Sequence, residues 1–169
     1  MPGDHSSIDD IPQRLRQWPT WLLGRLHNEA KREISVGLAT LNLTMHDYAV
    51  LACVEEFAPL SQQQVCDRIG LDRADMVTIV DRLEEAGSLE RERDTADRRR
   101  YSLRITSAGR AQLHRADRLI ASTTDEFLSA LSPAEIETLR TLALRVLGGH
   151  RQHGLTTADR SPDRGGPAD

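Results

Sequence analysis

The chain has 169 residues, 38% hydrophobic and 28% charged, with two each of Phe, Trp and Tyr and a formal net charge of -4. That length holds one domain of ordinary size with tails and excludes two large ones, and the acidic balance excludes binding of a phosphate polymer through bulk charge alone. Cys53 and Cys66 have neither zinc-site spacing nor disulfide-scaffold density, and no signal-peptide run or membrane-length apolar stretch occurs, so a cytoplasmic protein with no metal, cofactor or membrane contact is expected. Residues 1–17 mix Pro, Gly, Ser and Asp without a period and read as a flexible arm with helical potential over QRLRQW. From Pro19, the residues Leu22, Leu26, Ala30, Ile34, Leu38 and Leu41 recur every three or four positions, which predicts a long first helix within 18–43.

Thr44 with Asp47 three residues on is a capping pattern for a second helix, and Pro59 stops it. Ser61 with Gln64 opens a short third helix that Gly70 ends, and Asp72 caps a fourth whose Met76, Ile79, Val80 and Leu83 share one face up to Gly87. The period then changes to two. Leu89, Arg91 and Arg93, then Tyr101, Leu103 and Ile105, predict two strands around a solvated tip. Thr106 begins a long fifth helix, Ser132-Pro133-x-Glu135 begins a sixth, Gly148 and Gly149 should end it, and residues 150–169 read as a disordered tail. Short helix, tight turn, helix and hairpin together make residues 44–106 a winged helix-turn-helix lobe in a mainly α fold of six helices with a small β-wing.

The fourth helix has the form of a major-groove reader. Its apolar face turns inward, leaving Arg73, Ala74, Asp75, Val77 and Thr78 outward in the first turn and a half, the part of such a helix that reaches base edges. Asp75 reads either as a base contact or as a carboxylate favouring the helix N-terminus. From Arg91 to Arg118 there are nine arginines against four acids, a reversal of the sign of the whole chain that points to a phosphate partner. Arg98, Arg99 and Arg100 at the hairpin shoulder suit a minor groove, whose negative potential attracts arginine.

The residues Asp97-x-Arg99, then Leu103 and Ile105-Thr106-x-x-Gly109, with VDRLEEAG upstream, resemble the signature of the MarR family of bacterial transcription regulators over about residues 20–148. The resemblance implies an obligate homodimer joined through the helix in 18–43 and the helices in 107–149, with two winged lobes on a palindromic double-stranded DNA operator. It implies Arg99 as the wing-tip residue in the minor groove, with Asp97 orienting it. It also implies a small effector, often an aromatic or phenolic acid, held in a crevice between the dimer helices and the DNA-binding lobe. Trp18, Trp21, His27, His46 and Arg118 are the candidate lining residues. Trp18 and Trp21 read first as packing at a dimer interface and only second as ligand contacts, and His27 and His46 read first as solvated surface residues. The chain departs from the family pattern at Ala74-Asp75, where Ser-Thr is common, and at Thr78, where a basic residue is common.

The expected function is therefore a sequence-specific transcription regulator, a repressor released by a small ligand, and not an enzyme. Two alternatives stay open: a winged-helix protein-interaction module, and a regulator that senses redox state through Cys53 or Cys66.

Overall fold

The computed structural model describes residues 8–93 and 101–153. A 3-10 turn at Ile8–Asp10 precedes α1 (Gln13–Arg16), α2 (Pro19–Ala39), α3 (Met45–Phe57), α4 (Gln62–Ile69), α5 (Arg73–Glu85), β1 (Leu89–Arg93), β2 (Tyr101–Ile105), α6 (Ser107–Phe127) and α7 (Pro133–His153). The chain divides into two compact units, Met1–Phe127 with everything up to α6, and Leu128–Asp169 with α7. The helix beyond the expected six is α1, a single turn inside the N-terminal arm.

Helix boundaries follow the local hydrogen-bonding chemistry. At α3 the Thr44 hydroxyl accepts from the Asp47 amide (3.1 Å) while the Thr44 amide donates back to the Asp47 carboxylate (2.7 Å), a reciprocal box in which Asp does the work of the usual Glu. Ser61 and Gln64 do the same for α4. Gly70 ends α4 at φ 70°, a left-handed conformation that only glycine adopts without penalty. Asp72 accepts from the Ala74 amide (2.8 Å) to open α5 two residues later.

The expectation for the last helix needs correction. Ser132 and Glu135 cap α7 as the sequence implies, but the helix continues through Gly148 and Gly149 to His153. A helical glycine costs only about 1 kcal/mol against alanine, a cost per glycine that the good helix formers Leu142, Ala143, Leu144, Arg145 and Leu147 before the pair help to offset.

Strands β1 and β2 pair antiparallel with Leu89 opposite Ile105, Arg91 opposite Leu103 and Arg93 opposite Tyr101, the sets that period-two reading places together. A third stretch joins them: the Leu103 amide donates to the Leu60 carbonyl (2.7 Å), tying the hairpin to the segment before α4. The core of the first unit is one cluster. Leu38 of α2, Val50, Leu51 and Val54 of α3, Val65 of α4, Met76 and Val80 of α5, Leu89, Leu103 and Ile105 of the hairpin, and Leu113 and Ala116 of α6 are all buried. Farther toward its N-terminus the apolar stripe of α2 is not covered in the single chain, and Leu23 and Leu26 are exposed.

Candidate nucleic-acid interface

The inner face of α5 fixes its outer one. Met76, Ile79, Val80 and Leu83 are buried, so at 3.6 residues per turn Arg73, Ala74, Asp75, Val77 and Thr78 must project away from the core, and all five are exposed. The Asp72 cap leaves the first turn of α5 at the surface with its backbone donors partly satisfied. Asp75 stands in the first turn, where a carboxylate favours the helix dipole. Arg73 is the basic side chain of that turn.

Behind this face α5 is held from two sides. Arg82 pairs with the buried carboxylate of Asp47 on α3. Arg91 of β1 pairs with both Asp81 and Glu84 of α5, fastening the root of the hairpin to the back half of the helix. Arg104 pairs with Glu92 across the strands (2.9 Å), and Arg110 with Glu55 (3.0 Å). Three of the arginines that make residues 91–118 look basic are thus internal counter-charges, so the phosphate-binding charge is narrower than the sequence count implies. Asp97, Arg98, Arg99 and Arg100 lie outside the described residues.

A second polar chain anchors the hairpin root to the long helices. The Ser88 hydroxyl, buried, donates to Gln112 Oε1 (2.6 Å), and Gln112 Nε2 donates to the Leu41 carbonyl (3.1 Å) at the end of α2. Among the described residues no buried side-chain nitrogen or oxygen lacks a hydrogen-bond partner.

His27 and His46 are brought together. They line one cavity of about 550 Å³ with Ala30, Lys31, Ile34 and Ser35 of α2 and Thr44 and Met45 at the start of α3. Ala30, Ile34 and Met45 give it apolar walls, and Lys31, the two imidazoles and two hydroxyls give it polar, partly cationic ones. Trp18, Trp21 and Arg118 are not among its lining residues. Trp18 is the exposed N-cap residue of α2, and Arg118 lies on the exposed side of α6.

Cys53 and Cys66 are both buried, and burial is the main cause pushing each thiol above the ordinary cysteine range. The Cys66 thiol faces the Asp72 carbonyl (3.9 Å) inside the helix-turn-helix. A sensor thiol needs exposure and an electropositive setting that lowers its pKa, and neither cysteine has them.

The family model described as the MarR family matches residues 41–100. The PcaV transcriptional regulator of Streptomyces coelicolor, solved in complex with its natural ligand, is 30% identical, with a TM-score of 0.66 over 82% of this chain and 97% of that one. The chain belongs to the MarR family. As a MarR-family protein it is a transcription regulator and not an enzyme. A protein named as a transcriptional regulatory protein for the hcr operon of Thauera aromatica is 33% identical over 112 residues, 66% of either chain, so the match spans just under two thirds of that relative. The transcriptional repressor CouR of Rhodococcus jostii RHA1, in a structure bound to a 23-mer DNA duplex, is 25% identical with a TM-score of 0.71, covering 80% of this chain and 96% of that one.

The described part of the MarR-family signature has a packing role. Thr106 donates to the Gly87 carbonyl (2.7 Å) and accepts from the Gly109 amide (3.0 Å), closing the hairpin and capping α6 with one hydroxyl. Gly109 lies against the Ser88 carbonyl, too close for any side chain. Leu103 and Ile105 are core residues. Sequence reasoning missed the two ion-pair anchors of α5. The spacing of Asp47 and Arg82, 35 residues apart, carries no local signal. The only hint was an acid placed inside an otherwise apolar helix face.

Proposed function

We propose that the protein is a repressor that binds a palindromic operator as a homodimer and releases it when a small organic anion with an apolar, often aromatic, body occupies the cavity between α2 and α3. The observation that carries this reading is the exposed, capped face of α5, with Arg73, Ala74, Asp75, Val77 and Thr78 outward on a helix fastened behind by ion pairs. A rigid helix with a free first turn and a half is what a major groove admits. The likeness to a transcriptional repressor solved on a DNA duplex supports the assignment.

The wing residues Arg98, Arg99 and Arg100, with Asp97 orienting Arg99, supply minor-groove and phosphate contacts, and residues 44–106 act as the DNA-binding lobe. Homodimerisation rests on α2, α6 and α7. In the single chain α2 leaves Trp18, Leu23 and Leu26 exposed, and α7 leaves Leu142, Leu144, Val146 and Leu147 exposed, apolar surface that a second copy would cover. The ligand reading rests on the cavity chemistry, Lys31 and two imidazoles over apolar walls. Two relatives point the same way, one bound to its natural ligand and one bound to p-coumaroyl-CoA. A ligand that prefers one spacing of the two recognition helices shifts operator affinity by that preference alone. No helix among the described residues is long and apolar enough to cross a membrane, and a protein that reads chromosomal DNA works in the cytoplasm.

The test is selection of a duplex from a random library by the wild-type chain, followed by displacement with benzoate, 4-hydroxybenzoate and 4-coumarate. An enriched inverted repeat released by one of these acids, with the release lost in Lys31→Ala, is expected. Enrichment without release by any of them would leave the DNA reading standing and remove this ligand class.

A further inference from the structure

Asp47 is 1% exposed, and a carboxylate so buried must be paired to stay charged. One oxygen accepts from the Thr44 amide (2.7 Å) and the Thr44 hydroxyl (2.8 Å), and the other faces the Arg82 guanidinium. Thr44 begins α3, and Arg82 sits toward the far end of α5 from the DNA-reading turn. The pair therefore bolts the back half of α5 to the capped start of α3. The bolt ends at the cavity rim, since Thr44 and His46 line it.

We propose that Arg82 is a positioning residue for DNA binding: through Asp47 it pins the recognition helix to the start of α3 and does not itself contact nucleic acid. This rests on the reading of α5 as the DNA-contacting helix. The competing role is direct, because the Arg82 side chain is 47% exposed and carries the charge of a phosphate ligand. The two roles differ in what they couple to. A positioning residue acts through its partner, so losing either member of the pair, or both, has one common consequence. A phosphate ligand acts independently of Asp47 and adds about 0.9 to the slope of log affinity against log salt.

The experiment uses the full chain with Arg82→Ala, Asp47→Asn, the double variant and Arg82→Lys, and a duplex selected by the wild-type protein. Arg82→Ala is expected to weaken binding roughly tenfold with the salt slope unchanged. The double variant should be no weaker than the worse single one, and Arg82→Lys should recover part of the loss. In the free protein, hydrogen exchange over Arg73–Val80 should quicken in Arg82→Ala. Additive losses, a shallower salt slope or unchanged exchange would overturn the proposal. Should Arg82→Ala fail to fold because it strands a buried charge, the double variant and Arg82→Lys carry the test, since neither strands one. If the wild-type chain enriches no duplex, the DNA reading of α5 fails, while the exchange measurement still decides whether Arg82 anchors the helix.

Discussion

Gly109→Ala probes the joint on which the wing stands. A Cβ at residue 109 would lie 2.1 Å from the Ser88 carbonyl oxygen and 2.8 Å from Ile105 Cγ1. Carbon and oxygen approach no closer than about 3.3 Å even in the shortest favourable contacts, so α6 and the hairpin root would have to part by about 1 Å. The Ser88 carbonyl is not free to turn away, because it accepts from the Thr106 amide (3.1 Å). Overpacking costs about 1–3 kcal/mol, and an unyielding backbone atom places this case toward the top of that range. At about 2–4 °C per kcal/mol for a chain this long, Tm should fall by about 4–12 °C. Gly24→Ala is the opposite case: a Cβ there meets nothing within 4 Å inside a helix, and alanine should stabilise by about 0.5–1 kcal/mol. Circular dichroism melts with urea midpoints measure both. A Gly109→Ala melt that superimposes on wild type would refute the packing argument.

Replacing Arg99 by Ala should cost about 1–3 kcal/mol of operator binding with the dimer intact by light scattering, and unchanged affinity would remove its minor-groove role. Because burial raises the Cys53 and Cys66 pKa values, iodoacetamide should label the folded chain far more slowly than the urea-unfolded one at neutral pH, and equal rates would contradict their burial. A folded-state pKa above the unfolded one stabilises fully below the unfolded value and is lost as pH rises through the folded value, so the thiol contribution to stability should fade only on the alkaline side. Truncation after His153 should leave dimerisation and operator binding at wild-type level, and a monomeric product would show that residues 154–169 are structural.

The local grammar of this chain was legible because its signals act over three or four residues. Thr44 with Asp47, Ser61 with Gln64, Asp72, Gly70 and Ser132 with Glu135 each mark a helix end by a hydrogen bond between near neighbours. The hairpin register was readable for the same reason: Leu89, Leu103 and Ile105 must face the core, and a one-residue slip would expose them. What stayed hidden depends on the tertiary fold. The partners of Arg91, Arg104 and Arg110 turn apparent phosphate ligands into internal counter-ions, and only the packed structure brings those acids near. Of the candidate ligand residues, His27 of α2 and His46 of α3 line one cavity, whereas Trp18, Trp21 and Arg118 do not share it. Composition and helical period cannot distinguish such positions, since all five lie on helices or helix ends. The two glycines at the end of α7 misled for another reason: a glycine pair reads as a stop only where the chain after it does not continue the helix.

Reading of DNA by the capped face of α5 and the arginines of the wing is the proposal on which the rest depends. Its most direct test is a salt titration of binding to the duplex the protein itself selects. The selected duplex should contain an inverted repeat with half-site centres about 10–10.5 bp apart, or a multiple. Log affinity should fall linearly with log salt by about 0.9 per phosphate neutralised, with a shallower line for Arg99→Ala. Failure to enrich any sequence, together with weak binding that salt leaves unchanged, would contradict it and favour a winged-helix module that binds another protein.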